Sequence, residues 1–302
     1  MNFTLPFTEE TLDEMSGKTV VLSENHRNED RFFQFQVMPV SVGGTVSGGH
    51  FEVSDGVLRL CDQQGLFCEF DGVETRNGVV FGVGRSARTA SRDGFDRITI
   101  HEQRLLQPGD FGICVSSNAD YAKTTLPRVL GSLRKAGMDM SRVVAIVGGD
   151  KDGEEKIEEA TVVHRSDEKT VFGGLLGVKG GIPYWLLLHD TCEVEQNFLE
   201  MVSNVDVGLR PDVVWLKDPK VDKGMMGYYS DLFIQRLGSD LMGTVDQLRS
   251  VIGQRARVIT SLADDTVEIA VRDVYGTGRK RRVEKMARAG IRKFRSVRGK
   301  GL

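Results

Sequence analysis

The chain has 302 residues, 40% of them hydrophobic and 27% charged, with a formal net charge of −3. Such a composition supplies ample material for a core and excludes disorder throughout. The longest apolar run, Ile182–Leu188, is far short of the roughly 20 residues that a membrane-spanning helix needs. The length is a prior for two domains or one large one. The N-terminus, MNFTLPFTEETLDEM, is acidic and has no basic stretch leading into an apolar one, so no secretory signal is expected.

The first hundred residues read as β-structure. Ten of the fifteen Phe fall before residue 110. Short runs rich in Phe, Val and Ile recur at Thr19–Leu22, Phe33–Val40, Phe51–Leu60, Phe67–Phe70, Val79–Val83 and Arg97–His101. Asp55-Gly56 and Asn77-Gly78 punctuate them, and such pairs mark tight hairpins because both central residues of a type I′ turn need positive φ. An antiparallel sandwich or partial barrel is expected. His26, His50 and His101 are scattered along this region and form no readable site.

The pattern changes near Gln107-Pro108-Gly109-Asp110. Phe111–Val115 is an apolar run ending in Ser116-Ser117-Asn118-Ala119-Asp120. Thr124–Ala136 has helical spacing through Leu126, Val129, Leu130 and Leu133, with Pro127 acceptable in a first turn. Val143–Val147 is a second strand ending in Gly148-Gly149-Asp150, and Thr161–Val163 a third ending at His164-Arg165. Glu168–Val178 reads as helix, Tyr184–Leu188 as a fourth strand, Gln196–Val202 as helix and Val213–Leu216 as a fifth strand. Strands apolar on both faces, alternating with helices, predict a mostly parallel sheet covered by helices.

In such sheets ligands bind beyond the carboxyl ends of the strands, and all five ends are polar. They carry Ser116, Ser117, Asn118 and Asp120; Gly149 and Asp150; His164 and Arg165; His189, Asp190 and Glu193; and Lys217 and Asp218. There is no GxGxxG at the first helix, no GxxxxGK[ST] and no GxSxG, so a dinucleotide site, a P-loop and an α/β-hydrolase elbow are not expected. Asp190 follows a buried strand to a cleft edge. With Glu193, and with His189 for a softer ion, it offers ligands to a hard divalent cation such as Mg²⁺ or Mn²⁺. A helix N-cap is the alternative role for Asp190.

Residues 111–235 resemble a GT-A type glycosyltransferase. Cys114-Val115-Ser116-Ser117-Asn118 is similar to that family's nucleotide-binding opening, Val144–Asp150 to its second strand, and Leu186–Thr191 to the strand with its acidic metal motif. Met226-Gly227-Tyr228-Tyr229-Ser230-Asp231-Leu232-Phe233 is similar to a late segment near the acceptor. The usual Asp-x-Asp would need an acid at Leu188 or Cys192, whereas this chain has Asp190 alone, flanked by His189. The resemblance implies an α/β fold with a GT-A-like mostly parallel sheet and flanking helices, preceded by an N-terminal antiparallel β domain. The expected organisation is a β-rich accessory domain over 1–107, a catalytic domain over 108–278 and a basic tail over 279–302.

The implied activity moves a sugar from a nucleoside-diphosphate sugar to a hydroxyl of a glycan or of modified DNA, the latter as in some viral members of the superfamily. Ser116, Ser117, Asn118, Asp120, Gly149, Asp150 and Lys169 would bind the nucleotide, and Asp190 and His189 a Mn²⁺ or Mg²⁺ ion. Lys169 or Arg165 would otherwise stabilise the leaving group. Asp231, with Glu193 second, would act as base in an inverting reaction. The alternatives are a helix N-terminal acid for Asp231 and a solvated surface position for Lys169. Two other functions stay open. One is a non-catalytic nucleic-acid or carbohydrate binding protein on a degenerate transferase scaffold. The other is a nucleotidyltransferase, which would want a Gly-rich phosphate loop that Ser116–Thr125 lacks.

Cys61, Cys68, Cys114 and Cys192 form no CxxC pair and have no His at zinc spacing. They read as buried thiols in a reducing, cytoplasmic compartment (host cytoplasm for a viral protein). The segment Arg279–Leu302 has eleven Lys/Arg and one acid, a charge of +10 that leaves −13 on residues 1–278. Val283, Met286, Ala287, Ile291 and Phe294 approximate one helical face among these cations. Such a tail suits a polyanion, a lipid surface or the acidic body itself.

Overall fold

The structure is a computed structural model that describes residues 6, 8, 10, 19–26, 29–36, 45–46, 49–62, 64–76, 79–86, 97–149, 151–166, 175, 178, 180–215, 226–238, 250–252, 254–256, 259–261 and 271–273. Val37–Val40, the tail from Arg279 and, apart from Leu175 and Val178, the expected helix over Glu168–Val178 lie outside these residues.

The N-terminal region forms one antiparallel sheet. Its strands are β1 (Thr19–His26), β2 (Glu29–Gln36), β3 (Thr45–Val46), β4 (Gly49–Ser54), β5 (Val57–Asp62), β6 (Gly65–Arg76), β7 (Val79–Ser86) and β8 (Arg97–Glu102), in the order β2-β1-β8-β7-β6-β5-β4-β3. The run Phe51–Leu60 is two strands, because Asp55 and Gly56 take φ of +55° and +76° and close the β4–β5 hairpin. Two positive φ values in succession are the type I′ geometry whose twist matches that of the strands it joins. Burial alternates as a one-faced sheet requires: Leu58, Leu60, Cys68 and Phe70 are buried, while Arg59, Cys61 and Glu69 between them are partly exposed.

Residues from Phe111 onward build an α/β unit around a second sheet. Its strands are β9 (Phe111–Asn118), β10 (Val143–Gly148), β11 (Gly153–Ile157), β12 (Ala160–Arg165), β13 (Tyr184–His189), β15 (Val213–Trp215), β16 (Gly227–Ser230) and β17 (Ile259–Ser261). β14 (Cys192–Val194) pairs separately with β18 (Val271–Asp273). The order is β11-β12-β10-β9-β13-β16-β15-β17. β12, β10, β9 and β13 are mutually parallel. β16 runs antiparallel between β13 and β15, and β11 antiparallel along β12. The sheet is therefore mixed but mostly parallel, with six strands running one way and β11 and β16 the other. These two hairpin-like returns carry no pattern of their own.

Helix α1 (Ala119–Lys135) covers one face, and it starts five residues before the expected Thr124. Asn118 caps it by accepting a hydrogen bond from the Asp120 N–H at 3.0 Å. Pro127 consequently sits inside the helix instead of in its first turn, on the exposed side where a lost backbone bond is open to water. Leu126, Val129, Leu130 and Leu133 pack on Ile113, Val115, Leu186 and Leu188. The opposite face buries Cys114, Ile146, Trp185 and Leu187 beneath Phe233, Ile234 and Leu237 of α3 (Asp231–Leu237). The short α2 (Phe198–Ser203) replaces the expected helix over Gln196–Val202. Among the described residues no helix is long and apolar enough to cross a membrane.

Leu130 is fully buried between α1 and the sheet. Leu130→Ala is expected to cost about 2–5 kcal/mol through lost transfer energy and the cavity left behind. Thr124→Ala, on the exposed side of the same helix, should stay within about 0.5 kcal/mol. Urea unfolding of both variants checks the packing of this face.

Candidate functional site

The chain leaves β9 for β10 and β12 on one side and returns to β13 on the other. A crevice opens at such a reversal, beyond the carboxyl ends of the two strands that flank it. Those ends are Ser117-Asn118 and His189-Asp190, and the backbone N–H of Asp190 donates to the Ser116 carbonyl at 3.0 Å. The N-terminus of α1, with its outward N–H groups, lies at the same place.

Asp190 is the centre of the arrangement. It is 9% exposed. Its Oδ2 accepts from the Ser117 hydroxyl at 2.6 Å and from the Thr125 hydroxyl at 2.5 Å. The Tyr121 carbonyl lies 3.0 Å from the same Thr125 oxygen. A hydroxyl has one proton, and the closer, charged acceptor takes it. One carboxylate oxygen thus binds β9, α1 and the end of β13 together, while no described residue donates to Oδ1. Asp190 caps no helix, since the next one, α2, begins after Asn197. Thr125 escaped the sequence reading. The signal was a hydroxyl on the buried stripe of α1, four residues before Val129.

His189 does not join Asp190. Alternation along β13 sends Leu186 and Leu188 to the α1 face and Trp185 and Leu187 to the other, so His189 follows Trp185 and Leu187 to the face opposite Asp190. Glu193 sits on β14, where its Oε1 accepts from Arg128 Nη2 at 2.6 Å and Nε at 3.1 Å. Ser116 is buried, and Asn118 is committed to the helix cap. Asp120 is exposed in the first turn of α1. At Gly149 a Cβ would lie 2.5 Å from the Ala119 Cβ, so only glycine lets the end of β10 approach the start of α1 this closely. His164 bonds Glu155 across the β11–β12 hairpin at 2.7 Å, and this contact lowers the Glu155 carboxyl below its usual range. The Arg165 carbonyl accepts from the Gly149 N–H. Asp150, Lys169, Lys217 and Asp218 lie outside the described residues.

Asp231 is at the wrong end of the sheet for its expected role. Its N–H donates to the Pro183 carbonyl, at the start of β13, whereas Asp190 follows the end of that strand. Six extended residues separate the two ends, roughly 20 Å at the usual strand rise. The expected base and the expected metal ligand therefore do not share a cleft. The reason is the antiparallel direction of β16, which carries Ser230 and Asp231 away from the carboxyl ends. Asp231 instead opens α3 behind the Ser230 cap and accepts from Gln235 at 2.7 Å. It lines a cavity of about 970 Å³ with Arg104, Asp110, Tyr184, Asp212 and Arg236. Burial pushes the Tyr184 phenol well up, so it faces that cavity as a neutral hydroxyl.

For a divalent ion the Asp190 end supplies, among the described residues, one buried carboxylate. A small hard ion binds through one or two carboxylates plus substrate phosphates and keeps several waters. The residues fit an ion that arrives with a diphosphate, not one enclosed by protein ligands alone.

The chain matches no protein-family model and no curated protein sequence. Several solved structures overlap part of it. TarS of S. aureus is 13% identical with a TM-score of 0.38, over 51% of this chain and 35% of that one. A homolog of Mycobacterium tuberculosis rv0371c from Mycobacterium sp. strain JC1 is 12% identical with a TM-score of 0.37, over 53% and 88%. The glycosyltransferase GlyE of Streptococcus pneumoniae TIGR4 is 10% identical with a TM-score of 0.31, over 53% and 45%. This chain thus spans about a third of the length of the TarS chain.

Hydrogen bonds to a charged partner contribute about 1.5–3 kcal/mol each. Ser117→Ala and Thr125→Val should each destabilise by that order. Because both act on one oxygen of Asp190, Thr125→Val should cost far less in an Asp190→Ala background than in the parent chain. A double-mutant cycle by urea unfolding measures the difference, and strict additivity would contradict the shared contact.

Proposed function

We propose that the chain is a glycosyltransferase of GT-A type. In this reading the nucleoside-diphosphate sugar sits beyond the carboxyl ends of β9, β10 and β13, and the sugar passes to a hydroxyl acceptor. The observation that carries the reading is the buried Asp190 carboxylate, held by two hydroxyls at the reversal point of a parallel sheet beside the N-terminus of a long helix. Elementary chemistry gives this arrangement a use. Breaking a glycosidic bond to a diphosphate leaves negative charge on the departing oxygens, and fixed dipoles and cations placed there lower the barrier.

Asp190 would hold a Mn²⁺ or Mg²⁺ ion together with the diphosphate. Bound there, the ion would neutralise charge on the leaving group. Ser117 and Thr125 orient the carboxylate, which leaves its Oδ1 for the ion. The first turn of α1 faces the phosphates with the positive end of its dipole, and Gly149 keeps the floor of the crevice open. Ser116, Asn118, Asp120, Asp150 and Lys169 complete the nucleotide side. Asp231 lies too far away to take the acceptor proton, and Glu193 accepts from Arg128 through its Oε1. In this reading the base comes from elsewhere. The +10 segment after Arg279 would hold a polyanionic acceptor, glycan or nucleic acid, without entering the chemistry.

Thermal shift with UDP-, GDP-, CDP- and dTDP-sugars, with and without Mn²⁺, tests the donor site. UDP and UDP-GlcNAc lead the panel because TarS was solved with each of them. A donor at 100 times its Kd stabilises by about 2.7 kcal/mol. One nucleotide class should therefore raise Tm by several degrees, in a metal-dependent way. Asp190→Asn should abolish that shift and donor hydrolysis while leaving far-UV circular dichroism unchanged. Asp231→Asn should leave nucleotide affinity intact. Binding without turnover would favour the non-catalytic alternative, and no binding by any nucleotide would reject the donor site. Deleting residues 279–302 should flatten the salt dependence of acceptor binding, since fewer counterions are then released. A fall in Tm with acceptor affinity unchanged would show that the tail packs on the acidic body instead.

A further inference from the structure

The outer face of the β4–β5 hairpin brings three donor groups together. His50 and Glu52 are two residues apart on β4 and share a face. Cys61 stands opposite His50 on β5 as its ladder partner. A register shift between Leu60 and Cys61, where β5 meets β6, interrupts the regular pleat at this point. His50 Nε2 lies 2.9 Å from Glu52 Oε1, and the His50, Glu52 and Cys61 donor atoms are all within 4.8 Å of one another. His50 and Cys61 are half-buried and Glu52 is exposed, so an ion has a path in. Cys61 is also the one cysteine of the four that is not buried, and it forms no disulfide.

We infer that His50, Glu52 and Cys61 form a binding site for a zinc-class divalent cation, with the fourth position open to solvent. A tetrahedral zinc-type ion holds nitrogen, oxygen and sulfur at about 2.0–2.3 Å, which sets donors roughly 3.3–3.8 Å apart. Small side-chain rotations bring the present atoms to those separations. The carboxylate and the thiolate together balance the charge of a dication. Arg59, the ladder partner of Glu52, hydrogen-bonds Glu69 at 2.8 Å across the neighbouring strand pair. Imidazole and thiolate select zinc-class ions over Mg²⁺, which requires an octahedral oxygen shell. A second His–Glu pair of similar geometry, His164–Glu155 at 2.7 Å, has no third donor among the described residues and serves as an internal control. Sequence spacing concealed the site, because its ligands are linked by strand pairing and not by a CxxC or HxxxH interval.

The test uses the full chain. Co²⁺ titration, read by the thiolate-to-cobalt absorption in the near ultraviolet and by the visible bands of a tetrahedral ion, should saturate at one equivalent. Zn²⁺ should displace it and should slow alkylation of Cys61 by iodoacetamide, followed by mass spectrometry, by roughly tenfold or more. Millimolar Mg²⁺ should do neither. Cys61→Ser should abolish the ultraviolet band, and His50→Ala and Glu52→Gln should each weaken Co²⁺ binding by roughly tenfold or more. Glu155→Gln and Asp190→Asn should leave it unchanged, which separates this site from the nucleotide cleft. These side chains lie on a sheet face outside the core, and circular dichroism verifies the fold of each variant. A band that survives Cys61→Ser, parent-like binding in His50→Ala, or an octahedral spectrum without the thiolate band would overturn the assignment.

Discussion

Strand β9 has to satisfy both faces and both edges at once. Phe111 to Ser116 are six consecutive buried residues, flanked by β10 on one edge and β13 on the other. A strand in that position cannot alternate polar and apolar side chains, and it must be covered by helix on each side. Its odd members Phe111, Ile113 and Val115 are packed by α1 and its neighbours, while Cys114 joins Trp185 and Leu187 under α3. Only past Val115 does polarity become affordable. Ser117, Asn118 and Asp190 therefore collect at one end of the sheet and nowhere along it.

That end has a chemistry unlike the opposite one. At the carboxyl ends, the buried Asp190 faces two hydroxyls near the start of a long helix, whose first turn carries the exposed Asp120. At the amino ends, Asp212 is buried and accepts from Arg236 at 2.5 Å, and Arg104 lies 4.0 Å from Asp110. Asp212 and Asp110 there each face a guanidinium, while Asp231 accepts from the neutral Gln235 amide, so the 970 Å³ cavity is rich in charge that is largely paired. Volume alone would have drawn attention to that cavity. The donor site proposed above lies at the other end, which residues 150, 167–174 and 216–225 adjoin in sequence.

What could be read from the sequence was what depends on period and on local turn chemistry. Continuous apolar runs marked β9, β10 and β13. The spacing of Leu126, Val129, Leu130 and Leu133 marked α1, and Asp55-Gly56 marked a turn. What could not be read depends on pairing. β11 is Gly-Glu-Glu-Lys-Ile, almost wholly exposed, and its turn to β12 places Glu158 and Glu159 at φ of +51° and +72°. Neither residue type announces a type I′ turn, and the strand exists because β12 offers it an edge. The direction of β16 is equally a matter of partners, and it decided where Asp231 lies. Thr125 needed a known helix start before its hydroxyl could be aimed at Asp190. His50 and Cys61 needed the β4–β5 register.

Polar contacts, led by the buried His101, connect β8 of the first sheet to the segment that precedes β15. His101 of β8 is 2% exposed, and its Nε2 lies 2.6 Å from Asp206 Oδ2. The other oxygen of Asp206 accepts the backbone N–H groups of Arg104 and Gly208, at 3.0 Å and 2.9 Å. Arg104, Leu105 and Leu106 then pair with Val205, Asp206 and Val207 through backbone bonds. A partly buried, fully used carboxylate is costly to disturb, because removing one partner leaves the other uncompensated. The same device appears at Asp190, where one carboxylate fixes three elements. In both places an acid sits where separate segments meet and accepts from nearby donors. The difference lies in what is left over. Asp206 uses both oxygens internally, and that makes it a fastening. Among the described residues only one oxygen of Asp190 accepts a hydrogen bond, and the donor site proposed above makes use of the other.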